Sequence, residues 1–563
     1  MEQQAAQPAW AVPVCYAVGT FVAVAFATYA FAYGTWWTRK MAGKQSTEDF
    51  ITARGTQNIW RIGWSFYAGA VGAWVIVAPS QYASFSGIVG LVVYAIASGL
   101  PILLIALFGS FMKQMPHVLS LSDFMGWRFG PIAKTIVFLI AMFNMAIALL
   151  AEYTTIGSIF SDYVGSVSFG IIIVIGVLTL AYTAYGGLAV SIATDMVQGI
   201  ASVVLAIVLA IFVAVTYRQQ PIPSPLPEGM GPNFFGYIAI FTLTVSLISS
   251  TMFSEAVWQR VWASATPRAL YGGAAVGFVS ITLIVFLSGF GGWLAFVWGY
   301  ASFEAGTNPN TYLMQLLNQA PADVPARVNS WVGVFVVLLA IVMNEGAVDS
   351  LQNGLAASIS SHFLKNLPLK WTRVAVIVLN VPLVIIGTRG FPVLSLFLVG
   401  NLLTCCAIIP LMSGLIPRLR SFITETAFVL GVTGGIFGVT ASGVYVSWIP
   451  GDVAGSFAAG ANWGWYGNNY DWQPFVAALV CSTAVTYGWS LLAWAMRRGA
   501  GVYGPGVSGV LMRIPGMKFI TATPDWSPGY AAGQHPADAK LTVWDSAGDA
   551  GALKNGAKPI QSV

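Results

Sequence analysis

The chain has 563 residues, of which 57% are hydrophobic and only 8% charged, with a formal charge of +5 and a mean hydropathy of +0.75. Globular domains carry about a quarter charged residues, so a water-soluble fold is excluded. Apolar runs such as 12–37, 171–185 and 332–342 recur along the chain. Each reaches, or belongs to a run that reaches, the roughly 20 residues needed to cross hydrocarbon. The ten-residue alternation of a barrel is missing, so these runs are predicted to be helices, whose backbone bonds close internally.

In chain order, Met1–Trp10 is uncharged apart from Glu2 and shows neither the basic n-region nor the small-residue cleavage signature of a secretory leader. The first span is therefore expected to be retained. Polar breaks place thirteen spans at about 11–36, 62–87, 89–111, 133–160, 168–185, 192–216, 233–253, 270–299, 328–361, 372–388, 391–416, 422–448 and 473–496. With the N-terminus outside and the C-terminus inside, this count puts every one of the 25 basic residues inside except Arg218, Arg327 and Arg389, the bias expected of inner loops. No nucleic-acid partner is implied, because the positive charge collects where anionic lipid headgroups of the bilayer lie. Cys15, Cys405, Cys406 and Cys481 fall inside spans without metal-ligand spacing, so no disulfide framework is expected. The outer loops 219–233 and 451–472 are expected to form ordered or semi-ordered caps, and the tail from about 523 to be mostly disordered.

Most acidic residues fall in loops, but Glu152, Asp195, Glu345 and Asp349 fall within spans. Each costs about 2.5–3.5 kcal/mol at mid-bilayer, which implies partners, a wet cavity or a bound cation. Glu345 and Asp349 stand one helical turn apart, and Gln352 and Asn353 continue the stripe. Such a stripe suits a cation or proton path, or a hydrogen-bonded contact between helices. Asp195 follows Thr194 near the inner end of the sixth span, where it either snorkels to the interface or serves the cation. Glu152, in the sequence Ala-Glu-Tyr-Thr-Thr, is expected to bond a neighbouring hydroxyl, outside the main site.

The second span contains Tyr67-Ala68-Gly69-Ala70-Val71-Gly72-Ala73. These small residues allow either close packing or a break, and a break would free backbone carbonyls as hard ligands for sodium. Ser246, Ser249, Ser250 and Thr251 form a polar counterpart in the seventh span. None of His117, His362 and His535 sits mid-span, and no nucleophile–base spacing appears, so an enzyme is not expected.

The run Tyr182-Thr183-Ala184-Tyr185-Gly186-Gly187-Leu188-Ala189-Val190, followed by Thr194-Asp195 and Gln198, resembles the sodium:solute symporter family. Ala151-Glu152 with Ile156-Gly157-Ser158, Arg128-Phe129-Gly130 and Gln259-Arg260 agree with that resemblance, which covers roughly 50–420. It implies a leucine-transporter-like fold of two inverted five-helix repeats, with a solute site between broken second and seventh spans. It also implies sodium on the carbonyls of Ala70 and Ala73, completed by the ninth span, with Thr194-Asp195 near the sodium exit. The family's ninth-span hydroxyl pair would fall here on Gly346-Ala347 or on Met343-Asn344, neither of which carries hydroxyls, leaving Glu345 and Asp349 to stand in.

The chain is thus expected to be an all-α membrane protein of about thirteen transmembrane helices. Its expected divisions are a short outer N-terminus (1–10), a first helix and inner loop (11–61), repeat one (62–216), an outer loop (217–232), repeat two (233–416), two further spans (417–498) and an inner tail (499–563). The expected function is a symporter of the plasma membrane that couples Na+ or H+ to import of a small neutral or zwitterionic nutrient such as urea, an amino acid or a sugar. A nucleobase permease of the related fold, a channel or a solute sensor is the alternative. Candidate cation or coupling residues are Ala70, Ala73, Thr194, Asp195, Glu345, Gly346, Ala347 and Asp349, with Na+ at Ala70, Ala73 and Asp349. Candidate solute residues are Tyr67, Gly69, Gly72, Trp74, Ser249, Ser250, Gln352 and Asn353.

Overall fold

The computed structural model describes residues 7–40, 47–113, 115, 118–363, 369–419 and 422–503. The expected disordered tail, with His117 and His535, lies outside them. The helices are α1 (Ala11–Lys40), α2 (Thr47–Thr52), α3 (Ile59–Ala70), α4 (Trp74–Met112), α5 (Leu121–Arg128), α6 (Pro131–Ser158), α7 (Ser168–Thr216), α8 (Phe234–Met252) and α9 (Glu255–Ala263). They continue as α10 (Pro267–Val297), α11 (Tyr312–Asn318), α12 (Trp331–Phe363), α13 (Leu369–Gly387), α14 (Val393–Leu415), α15 (Glu425–Val446), α16 (Val453–Asn462) and α17 (Trp472–Tyr503). Among the described residues there is no strand beyond one isolated bridge, Gln57 to Ser264, and the four cysteines are free.

Local chemistry sets the helix starts. Asn58, Asn233, Thr266, Thr424 and Asp452 each accept the N–H three residues on, which satisfies a donor the helix itself leaves free. Pro131 and Pro267 occupy first-turn positions where no N–H is needed. The segment 451–472 folds into α16 and a following helical turn, Trp463–Gly467.

Ten helices of the described residues are long and apolar enough to cross a membrane. Two of these run across a boundary between predicted spans: α4 joins the later part of 62–87 to 89–111 at Gly87 (φ 63°, ψ −162°), and α7 joins 168–185 to 192–216 at Gly187 (φ 62°, ψ −160°). Those torsions belong essentially to glycine. At Gly87 a Cβ would run into the carbonyls of Gly231 and Gly229, and at Gly187 into the Phe50 carbonyl. Gly187 is the second glycine of the Tyr-Gly-Gly-Leu motif, and these torsions account for it.

Two other spans are interrupted. The first break separates α3 from α4, with Val71 extended (φ −112°, ψ 123°). The second separates α8 from α9 at Phe253 and Ser254, the latter at φ −94°, ψ 103°. Beside them runs α12, 78% of whose apolar stretch is buried against 28% for α1 and 22% for α7. It packs on α1, α6, α7 and α9 and forms the centre of the bundle.

Candidate functional site

A cavity of about 110 Å3 opens between the two breaks. Gly69, Ala70 and Trp74 contribute to its wall from the first break, and Ser250, Thr251 and Ser254 from the second. The remaining wall includes Asn144 and Glu152 of α6, Ala347 of α12, Asn401 of α14, Tyr94, and Tyr470 from the segment after α16. Trp74 stacks on Tyr94 at 6.0 Å between ring centroids and meets the Phe397 ring edge-on at 5.7 Å. Two amides organise the polar side. Asn144 donates to the Ser250 carbonyl (2.9 Å) and accepts from the Ser250 hydroxyl (3.1 Å), while Asn401 donates to the Tyr470 hydroxyl (3.1 Å).

Glu152 departs from the sequence expectation. Its carboxyl bonds no neighbouring hydroxyl; Oε2 accepts the Ala73 N–H (2.9 Å) and the Asn344 side-chain amide (2.8 Å). Asn344 also donates to the Glu152 backbone carbonyl (2.9 Å). The break exposes the first N–H groups of α4, and a carboxylate there meets both their unpaired donors and the positive end of the helix. Such a partner lies across the fold rather than along the chain, so the adjacent Thr154 and Thr155 gave a misleading local cue. Gly72 makes the approach sterically feasible, because a Cβ at that position would overlap the Glu152 carboxyl.

A second polar group lies among α3, α7, α9 and α12. Asp195 does not snorkel to the interface: it is fully buried and paired with Arg260 at 2.8 Å, both side chains being 0% exposed. The Ser65 hydroxyl donates to Asp195 (2.6 Å), and Arg260 donates to Ser65 (2.8 Å) and Ser350 (2.6 Å). Arg260, placed by the sequence in an inner loop, is inside the protein because α9 is the second half of a broken helix. Asp349 accepts from Thr183 (2.6 Å), Thr194 (3.1 Å) and Asn353 (2.9 Å). Glu345, one turn away, is 1% exposed and neither of its carboxyl oxygens has a hydrogen-bond partner.

The candidates therefore separate into groups. Gly69, Ala70, Trp74, Ser250 and Ala347 line the cavity. Ala73 binds Glu152 through its N–H, while its carbonyl accepts from the Ile76 N–H (3.0 Å). Thr194, Asp349 and Asn353 join one cluster, Asp195 another, and Gly346 adjoins the Gln198 side chain. Tyr67, Ser249 and Gln352 are not among the lining residues: Tyr67 bonds Ser202 (2.9 Å), Gln352 donates to the Tyr153 hydroxyl (3.2 Å), and Ser249 is buried. Sequence reasoning missed Asn144 and Asn401, polar side chains within apolar spans and visible as such. Tyr470 carried no comparable signal.

The chain is similar to a spermidine transporter of Candida albicans, 26% identical over 464 residues that take in 81% of this chain and 86% of the relative. Its fold is similar to that of a Na+-coupled sialic acid symporter solved in a substrate-bound, outward-open state. That match has a TM-score of 0.61 at 15% identity and covers 84% of this chain and 98% of the other. No family model matches the chain. These similar proteins are transporters, in keeping with an all-helical membrane transporter rather than an enzyme.

Proposed function

We propose that the chain is a secondary active symporter in which a Na+ or H+ gradient drives uptake of a small solute bearing an ammonium group, by alternating exposure of the cavity between the two broken helices. The observation that carries this proposal is the Glu152 carboxyl in the cavity wall at the start of α4. A helix N-terminus is a ready site for an anion. Here the chain's own carboxylate fills it, so a solute carboxylate has no place there and the wall offers negative charge instead. The Trp74 and Tyr94 rings add the aromatic faces that attract an ammonium group. The Candida relative, named as a spermidine transporter, makes a polyamine the leading solute. A neutral solute such as urea would depend instead on Asn144, Ser250 and Asn401.

Direct solute contacts are assigned to Gly69, Trp74 and Ser250 with Glu152, while Tyr67, Gly72, Ser249, Gln352 and Asn353 hold the surrounding frame. The cation is assigned to the inner side, among Ala70, Ala73, Thr194, Asp195, Glu345, Gly346, Ala347 and Asp349, with Na+ at Ala70, Ala73 and Asp349 as one arrangement. At about 1.5 Å per residue, the 39 residues of α4 and 49 of α7 exceed a hydrocarbon core of about 30 Å. Counting each as two crossings about its glycine, and α3 and α8–α9 as parts of broken crossings, gives thirteen with α13. An odd count puts the termini on opposite sides, and with the basic residues inside it gives an outer N-terminus and an inner C-terminus; our reading adds inverted repeats at 62–216 and 233–416, the plasma membrane and sodium:solute symporter type.

Labelled putrescine, spermidine, proline and urea, offered to transporter-deficient cells under separate Na+ and pH gradients, test this. Wild type is expected to concentrate the amines, and Glu152→Gln to lose at least about tenfold of that uptake while still reaching the membrane. Amine uptake by Glu152→Gln at the wild-type rate, or wild-type uptake of urea or proline alone, would overturn the assignment.

A further inference from the structure

Trp74, Asn144, Ser250 and Ala347 reach the cavity from helices of the two proposed repeats, but Tyr470 belongs to neither repeat. It stands two residues before α17 begins. Under the thirteen-crossing topology proposed above, the segment between α15 and α17 is outer. Asn401 is eight residues along α14 from Val393, about 12 Å in from the outer end at 1.5 Å per residue. The Tyr470 hydroxyl meets the Asn401 amide at 3.1 Å. The segment thus dips from the outer surface into the bundle and delivers a phenol ring to the cavity wall.

The backbone at this point is strained. Asn469 and Tyr470 are both left-handed (φ 48° and 63°). Asparagine tolerates that region, but a bulky side chain stays in it only where the surroundings over-determine the position. Here they do. The Asn468 amide donates to the carbonyls of Gly464 (2.8 Å) and Trp463 (3.2 Å), and the Trp465 indole donates to Thr440 of α15 (3.1 Å). Helix α16 lies backbone to backbone on α15, since a Cβ at Gly460 would run into the Val444 main chain. The Tyr470 ring stacks on Phe475 (5.8 Å between centroids) and meets Tyr82 edge-on (6.0 Å), and Tyr82 meets Tyr94 of the cavity wall (5.4 Å). A ring that only filled core space would not require this backbone, whereas a fixed wall of a binding cavity does.

We infer that Tyr470 selects solutes by length: its ring is the outer ceiling of the cavity, and its bond to Asn401 fixes the height of that ceiling. The residue before Asn401 ties the ceiling to the helix break, because a Cβ at Gly400 would stand 3.2 Å from the Asn144 side-chain oxygen. One turn of α14 therefore touches both the Asn144–Ser250 pair and Tyr470. With one ammonium group held at Glu152, the rest of the solute has to fit the remaining space, and a chain too long for it meets the phenol ring. One methylene more or less in a close-fitting pocket changes selection by about 10–200-fold. The inference rests on the amine symporter proposed above and adds the side chain that sets its upper size limit.

The full-length protein in liposomes, given labelled putrescine, cadaverine and spermidine with Na+ and H+ gradients imposed together, tests this. The quantity read is the ratio of kcat/KM for spermidine to that for putrescine. Tyr470→Ala is expected to raise the ratio at least about tenfold, with cadaverine intermediate. Tyr470→Phe keeps the ring and is expected to hold the ratio within about threefold of wild type, while the larger Tyr470→Trp lowers it by more than that. A tyrosine that merely supported the fold would lower uptake of all three amines by one common factor. An unchanged ratio in Tyr470→Ala therefore overturns the inference and leaves the symporter proposal standing. If the alanine variant does not fold, Tyr470→Leu and Tyr470→Trp decide the question: ratios that move in opposite directions support it, and any other result overturns it. Wild type that takes up none of the three amines overturns the amine proposal and this inference with it.

Discussion

Replacing Arg260 by methionine is expected to destabilise the purified protein by about 3–5 kcal/mol, the range seen when one partner of a buried ion pair is removed. The Asp195 and Arg260 side chains are both 0% exposed and lie 2.8 Å apart, so no water replaces the lost partner. Ser65 and Ser350 would still reach Asp195, but hydroxyls do not cancel its charge. The Arg260→Met/Asp195→Asn double variant should recover a substantial part of the loss, because it leaves no lone charge behind. A double-mutant cycle followed by denaturant titration in detergent micelles measures the coupling. Strictly additive losses would show that the pair is not an interacting unit. Uptake is expected to fall in both single variants, since the pair joins α7 to α9, the second half of one broken helix.

Gly72→Ala is expected to reduce solute uptake at least about tenfold without removing any polar group. The added methyl would occupy the position of the Glu152 carboxyl, which is held in place by the Ala73 N–H and Asn344. Overpacking at a site that cannot shift costs about 1–3 kcal/mol, and about 1.4 kcal/mol is a factor of ten in affinity. Gly488→Ala is the internal comparison. A Cβ there meets nothing within 4 Å, so this variant should keep most of its uptake. Equal losses in the two, measured on cells with matched surface expression, would mean that Glu152 is not the group displaced at Gly72.

The features legible in the sequence are those in which residue type alone has a consequence. Small residues at 67–73 allowed either close packing or a break, and the helix does stop at Ala70. Acidic residues in apolar spans had to be answered somehow, and Asp195 and Asp349 are. What escaped depends on contacts between distant segments. Ala73 lies on the far side of a helix break from Glu152, and nothing near Glu152 in the chain points to it. Arg260 looks like an inner-loop charge until the chain is seen to stop at Phe253 and resume as a short helix. The stripe on α12 has one spacing but three environments, because its members meet different neighbours: Asp349 and Asn353 meet Thr183 and Thr194, Gln352 meets Tyr153, and Glu345 meets groups as unpaired as itself.

The joints at Gly87 and Gly187 bear on how the chain tolerates insertions. At both, one helical segment passes into the next through a single residue, with another backbone packed where a side chain would be. An epitope or protease site placed there has no connecting loop to enlarge and must push apart two packed segments. Insertions at either glycine are expected to abolish surface expression, whereas the same peptide at the exposed 304–305 turn should be carried without loss. Adjacent helices meeting at these joints thus behave as one indivisible piece, to be moved or deleted together or not at all.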